Sequence, residues 1–252
     1  MGRLSGKVAF ITGGEGSIGM AGARRLAAED AHVVLAGIDE NGLRAGVDEL
    51  GRDAASHVVT DVADAEQVAA AVRTVADRHG GIDIVFSNAG ISGDIAPVTE
   101  YPDDVFDRVL AVHVRGSFLV CKHALPVMRA GGSLIITSSV VGLTSAPGIV
   151  AYATAKHALV GLMRTVAHEA APRGIRVNTI HPGPVDNEFQ HAIEMAATGA
   201  SREEAAKAFE ARIPLGRHAD PDEVARAVLF LAGPDSTFIT GSTVAVDGGM
   251  SI

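Results

Sequence analysis

The sequence predicts an α/β domain: a doubly wound parallel sheet of about seven strands with helices on both faces. Three observations predict it. Short apolar runs alternate with longer helical patterns along all 252 residues, with no linker or compositional shift to divide them. Several of the runs are almost wholly apolar, as parallel strands covered on both faces must be. A glycine-rich turn follows the first run and leads into a helical pattern, the strand–turn–helix order of stacked βαβ units.

Taken in chain order, Val8–Ile11 gives the first strand and Ile18–Glu29 the first helix. His32–Ala36 and His57–Thr60 give the next two strands, Ala65–Arg78 a helix, and Ile82–Ser87 the fourth strand. Residues 101–130 read as one long helix interrupted by Gly116 and Pro126. Ser133–Thr137 is the fifth strand, Ala151–Glu169 a long helix, and Arg176–Ile180 the sixth strand. Residues 187–213 read as a helical insertion, polar outside, carrying Phe189, Ile193, Met195, Phe209 and Ile213. An insertion of that length between a strand and the next helix predicts a lid. Asp222–Leu231 and Thr243–Val246 supply the last helix and strand. Residues 1–252 thus form a single domain.

Composition excludes several classes of function. The net charge of -9 offers no basic face for nucleic acid. The single cysteine, Cys121, permits no internal disulfide and reads as a small buried apolar residue in a reducing compartment. Val8–Ile11 is too short for a signal-peptide core, Gly6 spoils the myristoylation pattern that Gly2 would begin, and no stretch is long enough to cross a bilayer. A soluble, cytoplasmic protein is expected. No metal-ligand spacing appears either: His168-Glu169 does not continue to a second histidine, because Pro172 takes that place.

The turn Thr12-Gly13-Gly14-Glu15-Gly16-Ser17-Ile18-Gly19 lies where a Rossmann-type domain binds a pyrophosphate. Glycines remove the Cβ atoms that would block phosphate oxygens, and the helix N-terminus presents unpaired N–H groups. Asp61-Val62 ends the third strand, where a carboxylate meets an adenine amino group. Asn88-Ala89-Gly90 ends the fourth, small enough to pass a ribose, and Asp39 lies about twenty residues past the turn, where an acid meets ribose hydroxyls. Each of these residues reads equally well as a cap on the helix that follows it.

Tyr152 and Lys156 sit one helical turn apart, with Ser139 thirteen residues upstream of the tyrosine. A phenol needs a nearby ammonium to release its proton near neutral pH, and the i,i+4 spacing provides one on the same helix face. The glycine turn, Asn88-Ala89-Gly90, Ser139, Tyr152-Ala-Thr-Ala-Lys156, Pro182-Gly183 and Val246-Asp247-Gly248-Gly249 follow one another in the order and spacing of a known family. Over essentially its whole length the chain resembles the classical short-chain dehydrogenase/reductases.

The resemblance implies hydride transfer between a nicotinamide and an alcohol or ketone. Tyr152 would act as general acid/base, Lys156 would lower its pKa and bind the nicotinamide ribose, and Ser139 would hold the substrate oxygen. Cofactor contacts would come from Gly13, Gly16, Ser17, Ile18, Gly19, Ile38, Asp39, Asp61, Val62, Asn88, Ala89 and Gly90, then from Tyr152, Lys156, Pro182, Gly183, Val185 and Asn187. Where the family has an asparagine this chain has His113, the fourth catalytic candidate; there the main-chain carbonyl holds a water, a role that survives substitution if the helix stays bent. Ser17 replaces the family's second glycine and is expected to cap the helix, while Asn187 stands for a threonine that touches the carboxamide.

Neither the Asp that marks NAD users at position 37 nor the Arg that marks NADP users at position 38 is present. Glu15 and Asp39 would repel a 2′-phosphate, so NAD is expected rather than NADP. Segments Ile91–Pro97 and Val140–Val150, with the lid, are mainly aliphatic and predict a hydrophobic secondary alcohol or ketone as substrate. His181 and Glu188 are candidates for polar contacts to it, or else for supporting the loop. A homotetramer is implied, with contacts through 101–130, 151–171 and the last strand. Two alternatives stand: an NADPH-dependent 3-ketoacyl reductase acting on a carrier-bound chain, hinted at only by Lys122 and Arg129, and a non-catalytic dinucleotide sensor or scaffold.

Overall fold

The strand order is 3-2-1-4-5-6-7, and every pairing is parallel, in the computed structural model, which describes residues 2–252. The strands are β1 (Val8–Thr12), β2 (His32–Gly37), β3 (Ala55–Val59), β4 (Ile82–Ser87), β5 (Met128–Thr137), β6 (Arg176–Pro182) and β7 (Thr243–Val246). The order reverses between β1 and β4. There the chain leaves the sheet to opposite sides and opens a crevice at the carboxyl ends of the strands.

Alternate residues of the central strands feed two separate cores. Phe10, Val85, Leu134 and Ile136 face α3 (Ala65–His79), α5 (Gly116–Val127) and α6 (Val150–Ala170). Ile11, Leu35, Ile84, Phe86 and Ile135 face α1 (Ser17–Ala27), α2 (Glu40–Leu50) and α9 (Pro221–Ala232). Ten of the twelve largest fully buried side chains lie on these strands, so the sheet carries most of the hydrophobic stabilisation and its ends are rigid. Arg176 is buried with its guanidinium donating to Leu231 O, Ser236 Oγ and Gly233 O at 2.7, 2.7 and 3.2 Å. It fastens β6 to the C-terminus of α9 by filling the carbonyls a helix end leaves open.

The elements differ from the sequence expectation in instructive places. β5 begins at Met128 rather than Ser133, because a register irregularity opposite Ile82–Ile84 absorbs Gly131 and Gly132. α2 carries too many glycines to announce itself, yet Gly46 gives room to its neighbours: a Cβ there would lie 2.7 Å from Met20 Sδ and 2.8 Å from Leu35 Cδ1. The 101–130 region is α4 (Asp103–Leu110), a π-helical turn at Ala111–Arg115, and α5, with Pro126 one residue from its end. The insertion is two helices, α7 (Glu188–Thr198) and α8 (Arg202–Glu210), capped by Asn187 and by a Ser201–Glu204 capping box. No helix among the described residues is long and apolar enough to cross a membrane.

Candidate active site

The carboxyl ends of β1, β4 and β5 are stitched together by small polar side chains. Thr12 Oγ1 accepts from the backbone N–H groups of Asn88 and Ala89 at 3.0 and 3.2 Å. Asn88 Nδ2 donates to Gly13 O at 3.3 Å, and Thr137 Oγ1 donates to Asn88 Oδ1 at 3.0 Å. Glycine is demanded here by close approach. A Cβ on Gly13 would sit 2.9 Å from Ala89 Cα, and one on Gly19 would sit 2.1 Å from Gly13 O. α1 then starts at Ser17 with no side-chain cap among the described residues and no acid in its first turn. Its free N–H groups and positive end point to an anion.

Ser139 lies two residues past β5 in extended conformation, and its Oγ accepts from Val141 N at 3.3 Å. Ser138 Oγ donates to Lys156 O at 2.9 Å, clipping α6 against this strand end. Lys156 Nζ donates to Thr137 O at 2.9 Å and lies 5.2 Å from the Tyr152 ring centroid. Burial pushes the ammonium down to about 7. Burial likewise pushes the Tyr152 phenol up to about 12, with the Ser139 hydroxyl pulling the other way. The protein alone therefore does not deliver the acidified phenol expected from the lysine; desolvation outweighs the i,i+4 charge.

His113 lies in the π-helical turn, packed edge-on to Tyr152 with ring centroids 5.4 Å apart. Its Nε2 lies 2.7 Å from Ile91 O and 3.1 Å from Ile91 N, so this ring edge meets both backbone groups of Ile91. Nδ1 then has no partner among the described residues. Burial and the nearby Lys156 push its pKa down to about 3, so the ring is neutral at physiological pH. His113 thus braces the Asn88–Gly90 segment; a Cβ on Gly90 would lie 2.4 Å from its Cε1.

These side chains separate two chambers. The smaller, about 260 Å³, is lined by Gly13, Gly16, Ser17, Ile18, Asn88, Ala89, Gly90, His113, Lys156, Pro182, Gly183, Val185 and Asn187 among others. The larger, about 730 Å³, is walled by Ile95, Val140, Val141, Ile149, Ile193, Ala197, Phe209 and Met250 among others. Ser139 and Tyr152 line both. Of the other candidates, Gly19 backs the turn, Ile38 is largely exposed, and Asp39 caps α2 by accepting from Asn41 N at 3.1 Å. Asp61 accepts from Ala63 N at 2.8 Å, and Val62 is buried against Gly116. None of these five lines the smaller chamber.

Several assignments are corrected or completed by contacts between distant segments. Ser17 does not cap α1, whose N-cap is Gly16; instead its Oγ accepts from Asn187 Nδ2 at 2.9 Å. Asn187 also accepts from Gln190 N at 2.8 Å, so its amide ties the phosphate turn to the first lid helix. His181 is fully buried and does not reach a substrate: Nδ1–H donates to Ser139 O at 2.8 Å while Nε2 accepts from Thr179 Oγ1 at 2.8 Å. It holds the serine's backbone in place. Glu188 faces solvent and pairs with Arg202. Thr12, first residue of the glycine turn, is a support for the strand ends, as are Thr137 and Ser138, which carry no motif signal beyond their place there. Cys121 is buried, and burial pushes its thiol up to about 12, as an inert residue requires.

Glu15 occupies the end of β2. Its Oε1 accepts from Ile38 N at 3.2 Å and lies 3.5 Å from Asp39 N, while Oε2 is buried with no partner among the described residues. Gly37 leaves the space that this carboxylate occupies: a Cβ there would lie 2.0 Å from Oε2 and displace the Glu15 side chain. The position where family members carry an aspartate is thus filled by a carboxylate from another loop. An orphaned buried acceptor at the end of β2, a glycine cradle and an uncapped helix start fit a dinucleotide.

Comparison with known proteins agrees with this geometry. The family model described as enoyl-(acyl carrier protein) reductase matches residues 13–251. The chain is 36% identical to the 3-oxoacyl-(acyl-carrier-protein) reductase FabG of Thermotoga maritima, over 99% of this chain and all of that one. Among solved structures, levodione reductase superposes with a TM-score of 0.95 at 36% identity, covering 99% of each chain. NAD+-bound xylitol dehydrogenase does so with a TM-score of 0.93 at 35% identity, covering 98% of this chain and 100% of that one. The matched structures include NADPH-bound proteins as well.

Proposed function

The chain belongs to the short-chain dehydrogenase/reductase family, a set of NAD(P)-dependent oxidoreductases, and from that premise we propose that it moves a hydride between NAD(H) and a hydrophobic secondary alcohol or ketone. One observation carries this reading: Ser139 and Tyr152 stand at the partition between a glycine-lined chamber and an aliphatic one. Bound NAD+ supplies the hydride acceptor and a positive charge. The turn from Gly13 to Gly19 and the α1 N-terminus would hold its phosphates, Glu15 its adenosine ribose, Asp61 and Val62 its adenine, and Asn88–Gly90 with Lys156 its second ribose.

The protein's own part is proton transfer at one oxygen. Ser139 Oγ fixes a substrate hydroxyl or carbonyl oxygen, with His181 bracing the serine from behind. Tyr152 takes the hydroxyl proton in oxidation or gives its phenolic proton in reduction. Lys156, with a pKa of about 7, is part-charged at neutrality and stabilises the phenolate only while it holds its proton. The chamber beyond, walled mainly by Ile95, Val140, Val141, Ile149, Ile193 and Phe209, favours carbon-rich substrates over acids or sugar phosphates.

A second reading draws on the FabG relative: reduction of a carrier-bound 3-ketoacyl chain with NADPH. Glu15 weighs against it, because its carboxylate would face a 2′-phosphate. Titrating NADH and NADPH by fluorescence quenching tests the choice; tighter NADPH binding overturns the NAD assignment. A coupled absorbance screen of secondary alcohols then tests the activity. The same proposal includes a cytoplasmic homotetramer, as the family resemblance implies, with the exposed Phe118 of α5 available to a contact; sedimentation of a monomer would end that part.

A further inference from the structure

α7 carries a second set of chemistry-bearing side chains that lines neither chamber. His191 and Glu194 stand one turn apart on α7, and His218 comes from the segment entering α9. All three are buried, at 6%, 0% and 8% exposure. One ligand-capable atom from each lies within 4.8 Å of the others. His218 Nε2 is 2.6 Å from Glu194 Oε1, and His191 Nδ1 is 3.5 Å from Glu194 Oε2. On the outer side, His191 Nε2 bonds to Asp186 Oδ1 at 2.8 Å and His218 Nδ1 to Glu210 Oε1 at 3.2 Å. Each imidazole therefore turns one nitrogen to an outer carboxylate and the other toward Glu194. Carboxylates behind histidines in this way orient metal-ligating rings and fix their tautomers.

Ion pairs tie much of the cluster together but leave part of it unsatisfied. Glu194 Oε1 is fully used, accepting from Gln190 Nε2 at 2.9 Å as well as meeting His218. Glu194 Oε2 and His191 Nδ1 face each other and neither has a hydrogen-bond partner among the described residues. Leaving two such atoms buried and unpaired is costly, and a cation between them satisfies both. Two imidazole nitrogens and one carboxylate are a zinc-type donor set, and ligands about 2.0–2.1 Å from a tetrahedral ion stand roughly 3.4 Å apart. The sequence offered no sign of this, since its third member lies 24 residues beyond the second.

We propose that His191, Glu194 and His218 bind a zinc ion that fastens α7 to the segment entering α9, with a fourth position left for water. The site is separate from the proton chemistry. Because α7 also presents Ile193 and Ala197 to the larger chamber, the ion sets the position of that wall.

Untagged protein stripped with EDTA, desalted and titrated with zinc chloride tests this, with bound metal measured by mass spectrometry and unfolding followed by heat. One equivalent should survive desalting, and the melting temperature should rise until one equivalent is reached. Glu194→Gln and His218→Asn should abolish both effects. Should these buried substitutions prevent folding, Asp186→Asn serves instead, since its side chain is 70% exposed and touches His191 only from outside; it should weaken zinc binding about 10–100-fold. Wild-type protein that retains no zinc, a melting temperature indifferent to zinc, or variants that bind as tightly as wild type would each overturn the proposal.

Discussion

The two chambers that meet at Tyr152 are built by different means. The smaller is made of strand ends and a glycine turn, held by hydrogen bonds among Thr12, Asn88, Thr137 and Ser138 that leave little freedom. The larger is walled by aliphatic side chains, many of them on α7 and α8, which rest on the body rather than belonging to the sheet. The difference teaches where specificity can vary: a phosphate-binding cradle tolerates almost no added atoms, whereas an apolar wall on a lid exchanges one side chain for another at modest cost.

The sharpest way to break this comparison is at the partition itself. Tyr152→Phe should lower turnover of any alcohol the screen identifies by about 10²–10⁴-fold. NADH affinity should stay within about twofold on fluorescence titration, because removing one hydroxyl leaves the cradle intact. A variant that turned over normally would show that Tyr152 is not the acid/base. On the cradle side, Glu15→Ala should weaken NADH by roughly tenfold, the loss expected for one hydrogen bond to a charged group, and should narrow the preference over NADPH. An unchanged ratio of the two dissociation constants would show that Glu15 does not read the ribose. On the lid side, Phe209→Ala should raise KM by about tenfold with kcat nearly unchanged, since it removes apolar contact from ground and transition states alike. A fall in kcat alone would contradict that.

The smallest effect concerns His113 and is one of stability with pH. Its pKa is about 3 in the fold against an ordinary 6.5, so between these values the unfolded chain binds the extra proton and stability falls as pH falls. Urea unfolding of wild type and His113→Asn, compared from neutrality down to pH about 4, should therefore show wild type losing stability faster. Parallel curves would mean that the imidazole is not buried neutral.

Much of this was legible in the sequence because the carriers are local. The strand–turn–helix order, the Tyr152–Lys156 spacing and the Asn88-Ala89-Gly90 strand end are each contained in a few consecutive residues. What escaped depends on segments meeting across the fold. Glu15 fills the space above Gly37, Asn187 reaches Ser17, and His181 braces Ser139 from a neighbouring strand. α2 was obscured by Gly42 and Gly46, whose packing reasons lie on other elements. Spacing shows that Lys156 is near Tyr152 but not how far burial raises the phenol, a contribution that only the folded surroundings reveal.

The amine that serves the chemistry also weighs on the fold. Its proton is held far less tightly in the native interior, at about 7 against an ordinary 10.5, so from neutrality up to the unfolded value the denatured chain carries the excess proton. Conformational stability owed to this group accordingly climbs through mild alkali, the range in which alcohol oxidation, a proton-releasing direction, is itself favoured. Robustness thus rises on the alkaline side of neutrality, where the same amine gives up the charge that would steady a phenolate.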